Sequence, residues 1–360
     1  MIWLDIIDPK YVLFFNPLIP KLKELDEVII TTRKSKEYSE CWELLELFNI
    51  SNICVGGYGG ESPLGKFNAR LDRQKAFLEL FEKTGIPKLF ITGASVDGVQ
   101  TAYALGIPIV NFSDTPLKND HFDIDSMTIL SKLTLPLSSL IFHPFVVPEI
   151  CYASMGVPAK NIISYDFIDI ALWLKDMQPG IDFRKTFNIP QNRPSILFRE
   201  EEYKAHYVKE KLPIIYESIE KIASCLDVNV VIMPRYGKEG LYFKGFENIF
   251  IIEEKLPPAD FYPFIDILVG GGGTMNLEAC YLGIPTISTR SLFLFHDKYL
   301  LNNHLMRHCK NSQEVYEEVK SILATKKPSI AKKANARKLF EPKPANFEEI
   351  FKTIKERFYA

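Results

Sequence analysis

The stretch Asp266-Ile267-Leu268-Val269-Gly270-Gly271-Gly272-Gly273-Thr274-Met275-Asn276-Leu277-Glu278-Ala279 runs an apolar strand into four glycines and then directly into a helical pattern. Glycine admits positive φ and lets a ligand approach bare backbone. The following helix offers unpaired N–H groups and the positive end of its dipole. Gly271, Gly272 and Gly273 therefore form a seat suited to a phosphate or pyrophosphate. Thr274 is placed to cap the helix and to donate its hydroxyl to a phosphate oxygen. Glu278, about one turn inside the helix, can accept hydrogen bonds from both hydroxyls of a ribose. A ligand-free turn needs only one or two glycines, and four in a row are costly to order. The run is not GxGxxG, and no Lys-Ser/Thr follows it as in a Walker loop.

Outward from this turn, short apolar runs alternate with helical patterns, which predicts parallel βαβ units. Expected strands are Ile2–Ile7, Glu27–Thr31, Asn52–Val55, Leu89–Thr92, Ile107–Phe112, Ser139–His143 and Asn161–Tyr165, then Ser195–Phe198, Asn229–Met233, Ile249–Ile252, Ile265–Val269 and Thr286–Ser288. Helical patterns include Val12–Leu25, Gly65–Thr84 and Val96–Leu105. Pro179, Gly180, Pro190 and Pro194 interrupt the rhythm. The expected division is residues 1–165, a linker over 166–192, a second domain over 193–345, and a last helix over 346–360 that packs back on the first domain. The predicted class is α/β, with two facing Rossmann-like, doubly wound parallel sheets and ligands beyond the carboxyl ends of their strands, in a cleft between the domains.

The 360 residues carry 43 Lys+Arg against 45 Asp+Glu, a formal net charge of −2. That balance gives no sign of a nucleic-acid binder. Six scattered cysteines form no CxxC pair, which fits a reducing cytoplasm. Neither a signal peptide nor a membrane span is expected. The cations Lys326, Lys327, Lys332, Lys333, Arg337 and Lys338 read as a solvated helix face, with peripheral attraction to an anionic membrane surface as a second reading.

Two carboxyl-end cations, Arg199 after strand Ser195–Phe198 and Arg235 after Asn229–Met233, can reach a diphosphate. Asp114 closes the Ile107–Phe112 strand and suits acid–base work, or alternatively caps its own Asp-Thr-Pro turn. Ser95 reads as a helix N-cap. The second glycine-rich loop, Gly56-Gly57-Tyr58-Gly59-Gly60, can close over an acceptor with Tyr58 stacking on a sugar. His296 belongs beside the sugar diphosphate. His304 and His308 would share a helix face, but no carboxylate completes a HExxH pattern, so no metal site is expected.

The segment Gly272–Thr289 resembles the C-terminal nucleotide loop of GT-B proteins. Together with Trp3-Leu4-Asp5-Ile6, Phe14-Phe15-Asn16-Pro17-Leu18-Ile19, Phe112-Ser113-Asp114-Thr115-Pro116 and Asp297-Lys298-Tyr299-Leu300, it is similar to the DUF354 family of predicted glycosyltransferases. The layout also resembles UDP-N-acetylglucosamine 2-epimerases. That likeness implies a diphosphate loop at Gly272, Gly273 and Thr274, a ribose-binding Glu278, a basic residue near Arg199 and a catalytic carboxylate at Asp114. Where family members show histidines near the first helix, this chain has Tyr11, Leu13 and Phe14, with Lys10 as the charged residue. The expected function is a metal-independent glycosyltransferase with a nucleotide-diphosphate sugar, UDP-linked in the first instance, as substrate and no cofactor. The sequence does not name the acceptor; lipid-linked and polysaccharide acceptors are both compatible with the reading. The alternatives are a UDP-N-acetylglucosamine 2-epimerase and an inactive nucleotide-sugar-binding protein.

Overall fold

The computed structural model describes residues 1–360 apart from 37, 61, 94, 202–212, 235–242, 244 and 326–329, and apart from the side chains of 330–333. The chain divides into two compact units, Met1–Trp173 with Pro344–Ala360, and Leu174–Lys343. The segment 166–192 is shared between them and is ordered: Phe167, Ile168 and Ile170 are buried in the first unit, and Phe183 and Ile189 in the second.

The first unit holds seven strands: β1 (Ile2–Asp5), β2 (Val28–Thr32), β3 (Ile53–Cys54), β4 (Leu89–Thr92), β5 (Ile109–Phe112), β6 (Leu140–Pro144) and β7 (Ile162–Tyr165). Their order is β3-β2-β1-β4-β5-β6-β7, and every pairing is parallel. Parallel neighbours need long crossovers, which the helices between the strands supply. On one face Trp3 of β1 and Phe90 of β4 pack against Phe77 and Phe81 of the helix Pro63–Thr84. Elsewhere in the unit Phe14, Phe15 and Phe112 form an aromatic cluster that Phe347, beside the last helix Glu348–Phe358, joins at 5.2 Å from Phe14.

The second unit holds β8 (Ser195–Arg199), β9 (Asn229–Met233), β10 (Ile249–Ile251), β11 (Ile267–Gly270), β12 (Thr286–Ser288) and β13 (Arg307–His308). These are ordered β10-β9-β8-β11-β12-β13, again all parallel. Strand residues alternate between two cores. Ile196, Phe198, Val230, Ile232, Ile267 and Val269 face the helices Ile214–Cys225 and Ser312–Ala324. Leu197, Val231 and Leu268 face Phe261, Tyr262 and Ala279. Burial on both faces explains the unbroken apolar runs that mark these strands in the sequence.

One expected helix changes. The pattern over Val12–Leu25 is two helices, Pro9–Phe15 and Ile19–Lys23, because Pro17 has no N–H with which to continue the first helix. The basic run reaches into a helix, Ile330–Phe340, as expected, with Arg337 and Lys338 in its last turn. The two-residue edge strand β13 has no apolar run to announce it. Among the described residues no helix is long and apolar enough to cross a membrane.

Candidate functional site

Each sheet reverses its strand order once, at β1/β4 and at β8/β11. In open α/β sheets ligands bind beyond the carboxyl ends at such a reversal. The glycine run lies at the second of these points, where Gly270 ends β11 beside Arg199, the last residue of β8.

The turn is built for close approach. The Gly271 N–H donates to the Arg199 carbonyl at 2.9 Å, and a methyl group on Gly271 would lie 2.7 Å from the Glu201 amide nitrogen. A methyl on Gly270 would lie 2.1 Å from Asn276 Oδ1. Yet none of the four glycines has positive φ. Gly270 and Gly271 are required for the space that Asn276 and Glu201 occupy, not for left-handed backbone, while a methyl on Gly272 would meet nothing closer than 3.9 Å, which corrects the expected reason for the run. Thr274 does not cap the helix either. The helix Gly273–Tyr281 starts two residues earlier than a Thr274 cap allows, and Gly272 stands at the N-cap with no side-chain hydrogen bond. The first-turn amides therefore lack both intrahelical acceptors and a capping side chain. Gly270, Gly271 and Gly272 are buried, while Gly273, Thr274 and Met275 are half-buried, so the turn opens to solvent at its helical end.

Arg290 was not anticipated. A methyl on Gly273 would lie 3.1 Å from its Nη1, so the guanidinium stands over the first turn. Asp297 holds it at 2.7 Å and also accepts from the Leu294 N–H at 3.0 Å. The sequence signal was present: Arg290 closely follows β12, the neighbour of the glycine strand. Arg199 turns its Nη1 to the carbonyls of Met233 and Pro234, at 3.1 and 3.0 Å, while its Cγ stays within 4.0 Å of a methyl built on Gly272. Glu278 is 4% exposed and accepts from the Tyr262 hydroxyl at 2.5 Å, so the buried carboxylate is hydrogen-bonded, as burial of a charge demands. His296 is buried at the start of the helix Phe295–Asn302. Arg235 lies outside the described residues. His304 and His308 do not share a helix face, because the helix ends at Asn302, His304 takes φ 55°, and His308 lies in β13. Among the described residues no three His, Cys, Asp or Glu gather as metal ligands would.

In the first unit Asp114 follows β5 and meets Lys10, whose Nζ lies 2.5 Å from Asp114 Oδ2 and 2.5 Å from Asp169 Oδ2. Tyr165 donates to Asp169 at 2.5 Å, Tyr152 to the Ser113 carbonyl at 2.6 Å, and Tyr11 to the Phe112 carbonyl at 3.0 Å. Burial opposes the Lys10 charge, but Asp114 and Asp169 outweigh it and raise its pKa well above the ordinary lysine value of 10.5. Burial raises Tyr11, Tyr152 and Tyr165 well above the ordinary 10.0, helped by the same carboxylates. Groups whose folded pKa is raised contribute stability that is whole below the unfolded value and lost as pH climbs toward the folded one. The melting temperature is therefore expected to hold up to about pH 10 and then fall steeply, with Lys10→Met and Tyr165→Phe each flattening the alkaline limb. A thermal melt series from pH 8 to 12 measures this. Ser95 caps the helix Val96–Ala104 as expected, accepting from Gly98 N–H at 2.9 Å.

A model of the family described as "Protein of unknown function (DUF354)" matches residues 1–355. The chain belongs to the DUF354 family. An uncharacterized protein of Methanocaldococcus jannaschii is 27% identical over 361 residues, covering 98% of each chain. Among solved structures, the UDP-GlcNAc 2-epimerase of the same organism, in complex with UDP-GlcNAc and UDP, superposes with a TM-score of 0.73 at 17% identity, over 100% of this chain and 99% of that one. Spinosyn forosaminyltransferase superposes with a TM-score of 0.62 at 14% identity, over 99% of this chain and 100% of that one. These likenesses establish that this DUF354 member has the GT-B fold.

Proposed function

We propose that this DUF354 protein is a glycosyltransferase that takes its sugar from a nucleotide diphosphate, UDP in the first instance, seated on the glycine turn of the second unit. The carrying observation is the uncapped first turn at Gly272–Thr274 with the Arg290 guanidinium beside it. Helix amides and a fixed cation are the groups that stabilise a departing diphosphate, and they do so without a metal ion. Glu278 takes the ribose, with Arg199 lining the turn and His296 nearby on the following helix. Asp114 takes the proton of the acceptor hydroxyl, and Lys10 holds that carboxylate in place. No cofactor enters this scheme.

The UDP-GlcNAc 2-epimerase likeness supports a second reading, in which a UDP-sugar is converted with no acceptor present. Product analysis separates the two. A transferase releases UDP only with an acceptor, an epimerase inverts carbon 2 without one, and a binding protein is stabilised by UDP with no turnover. Asp114→Asn is expected to lower turnover about a hundredfold or more, the usual worth of a general base, while leaving UDP affinity within about twofold. Lys10 keeps Asp169 as a partner, so the variant should fold. A fully active Asp114→Asn would remove Asp114 as the base.

A further inference from the structure

The carboxyl end of β2 holds three polar atoms that no donor or acceptor satisfies among the described residues: Thr32 Oγ1, Arg33 Nε and Ser35 Oγ, each shielded from solvent. Thr32 itself is 0% exposed. One such atom in a native protein costs about 1–3 kcal/mol, and three within four residues mark a place where something polar is meant to sit. They lie at the end of a strand where such sheets take their ligands.

The surroundings define what would fit. The Gly56–Gly60 turn folds over this segment. The Lys34 N–H donates to the Gly56 carbonyl at 3.3 Å, and a methyl on Gly57 would lie 3.3 Å from the Lys34 carbonyl oxygen. The turn is fixed from the other side as well, since a methyl on Gly59 would lie 2.1 Å from the Gly65 carbonyl oxygen. Tyr58 rides on this turn, 5.5 Å from the Tyr38 ring. The Arg33 guanidinium is 5.2 Å from the centre of Tyr38 and 5.5 Å from that of Tyr58. Those three separations make a near-equilateral triangle, so the cation sits beside the ring pair and not between its members. Lys66 approaches the Tyr58 ring to 5.9 Å. Among the described residues of 32–36 and 56–66, the charges are Arg33, Lys34, Lys36 and Lys66, while Asp8 and Glu40 lie close enough to Tyr38 to act on its hydroxyl; Glu37 and Glu61 lie outside the described residues. Aromatic rings beside cations are what a sugar ring bearing an anionic group requires.

We propose that Thr32–Ser35 and the Gly56–Gly60 turn form a second ligand site, and that it takes an anionic sugar, with the ring on Tyr58 and the phosphate or carboxylate on Arg33, Thr32 and Ser35. This rests on the glycosyltransferase reading for its role as the acceptor site, though the binding itself does not. The ligand differs in kind from the donor, which uses backbone amides in the other unit.

The test uses the full chain and three probes: glucose 1-phosphate, glucuronate and inorganic phosphate. Calorimetric titration of the wild type should show one site for glucose 1-phosphate or glucuronate. Arg33→Met and Tyr58→Ala should each weaken it by about tenfold or more, with UDP affinity within about twofold of wild type. The stronger of the two sugars tells a phosphate from a carboxylate ligand. Arg33→Lys should recover part of the loss, because charge survives while the planar fork does not. Titrations in which neither sugar binds, or in which Arg33→Met binds as tightly as wild type, overturn the site. Binding of phosphate alone with equal affinity overturns the sugar assignment. If the sugars bind through Arg33 while UDP does not bind at all, the donor reading fails and this site stands.

Discussion

Arg73→Leu is expected to lower the melting temperature of the first unit by about 6–20 °C. Arg73 lies in the middle of the helix Pro63–Thr84 and is 0% exposed. Its Nη2 meets Asp5 Oδ1 at 2.6 Å, its Nη1 meets Asp5 Oδ2 at 2.9 Å, and its Nε donates to the Val55 carbonyl at 2.9 Å. Asp97 and Ser95 lie 3.4 Å from Nη1. Asp5 also accepts from the Thr31 hydroxyl, which in turn accepts from the Trp3 indole. Removing the arginine strands a carboxylate in the core, and breaking such a pair costs about 3–5 kcal/mol. At about 2–4 °C per kcal/mol for a unit of this size, that gives the stated range. Arg73→Lys should recover little, since a point charge cannot serve both carboxylate oxygens and a carbonyl at once. Differential scanning calorimetry decides it, and a loss under about 2 °C would show the network to be dispensable.

Glu278→Ala is expected to weaken UDP binding about a hundredfold. Two hydrogen bonds from ribose hydroxyls to a charged acceptor, at about 1.5 kcal/mol or more each, correspond to that factor. The same substitution deprives the Tyr262 hydroxyl of its shorter acceptor, leaving it the Met275 carbonyl at 3.5 Å, and Tyr262 is 1% exposed. Some stability will therefore be lost along with affinity. Tyr262→Phe separates the two effects, because it removes the tyrosine bond and leaves the carboxylate. Isothermal titration of both variants below their melting temperatures is the measurement. An unchanged dissociation constant in Glu278→Ala would take the ribose away from Glu278.

Strand identities were readable because both sheets are parallel and covered on both sides, so a strand such as Val230-Val231-Ile232 is apolar at every position. The glycine run stood out because backbone passes close to backbone there, and no other side chain fits beside Glu201. Its reason was harder to see, since φ is set by where the neighbouring loop lies. Lys10 illustrates what sequence alone withholds. Its partners, Asp114 and Asp169, are 104 and 159 residues away, and only the order β1-β4-β5-β6-β7 brings the three together. Arg290 was overlooked for a similar reason, because its closeness to Gly273 follows from the pairing of β11 with β12. The three unsatisfied atoms near Thr32 have no sequence signature at all, since satisfaction is a property of neighbours.

The last helix belongs to the unit that begins the chain. Phe347 closes on Phe14 and Phe112, Glu348 pairs with Lys21, and Arg357 donates to Asn161. During synthesis the 1–173 segment therefore waits, with an aromatic surface uncovered, until residues 344–360 leave the ribosome. The 174–343 segment has all its own strands in hand before then. A chain cut before residue 344 is expected to leave Phe14 and Phe112 without Phe347, an apolar surface of the kind that chaperones take up.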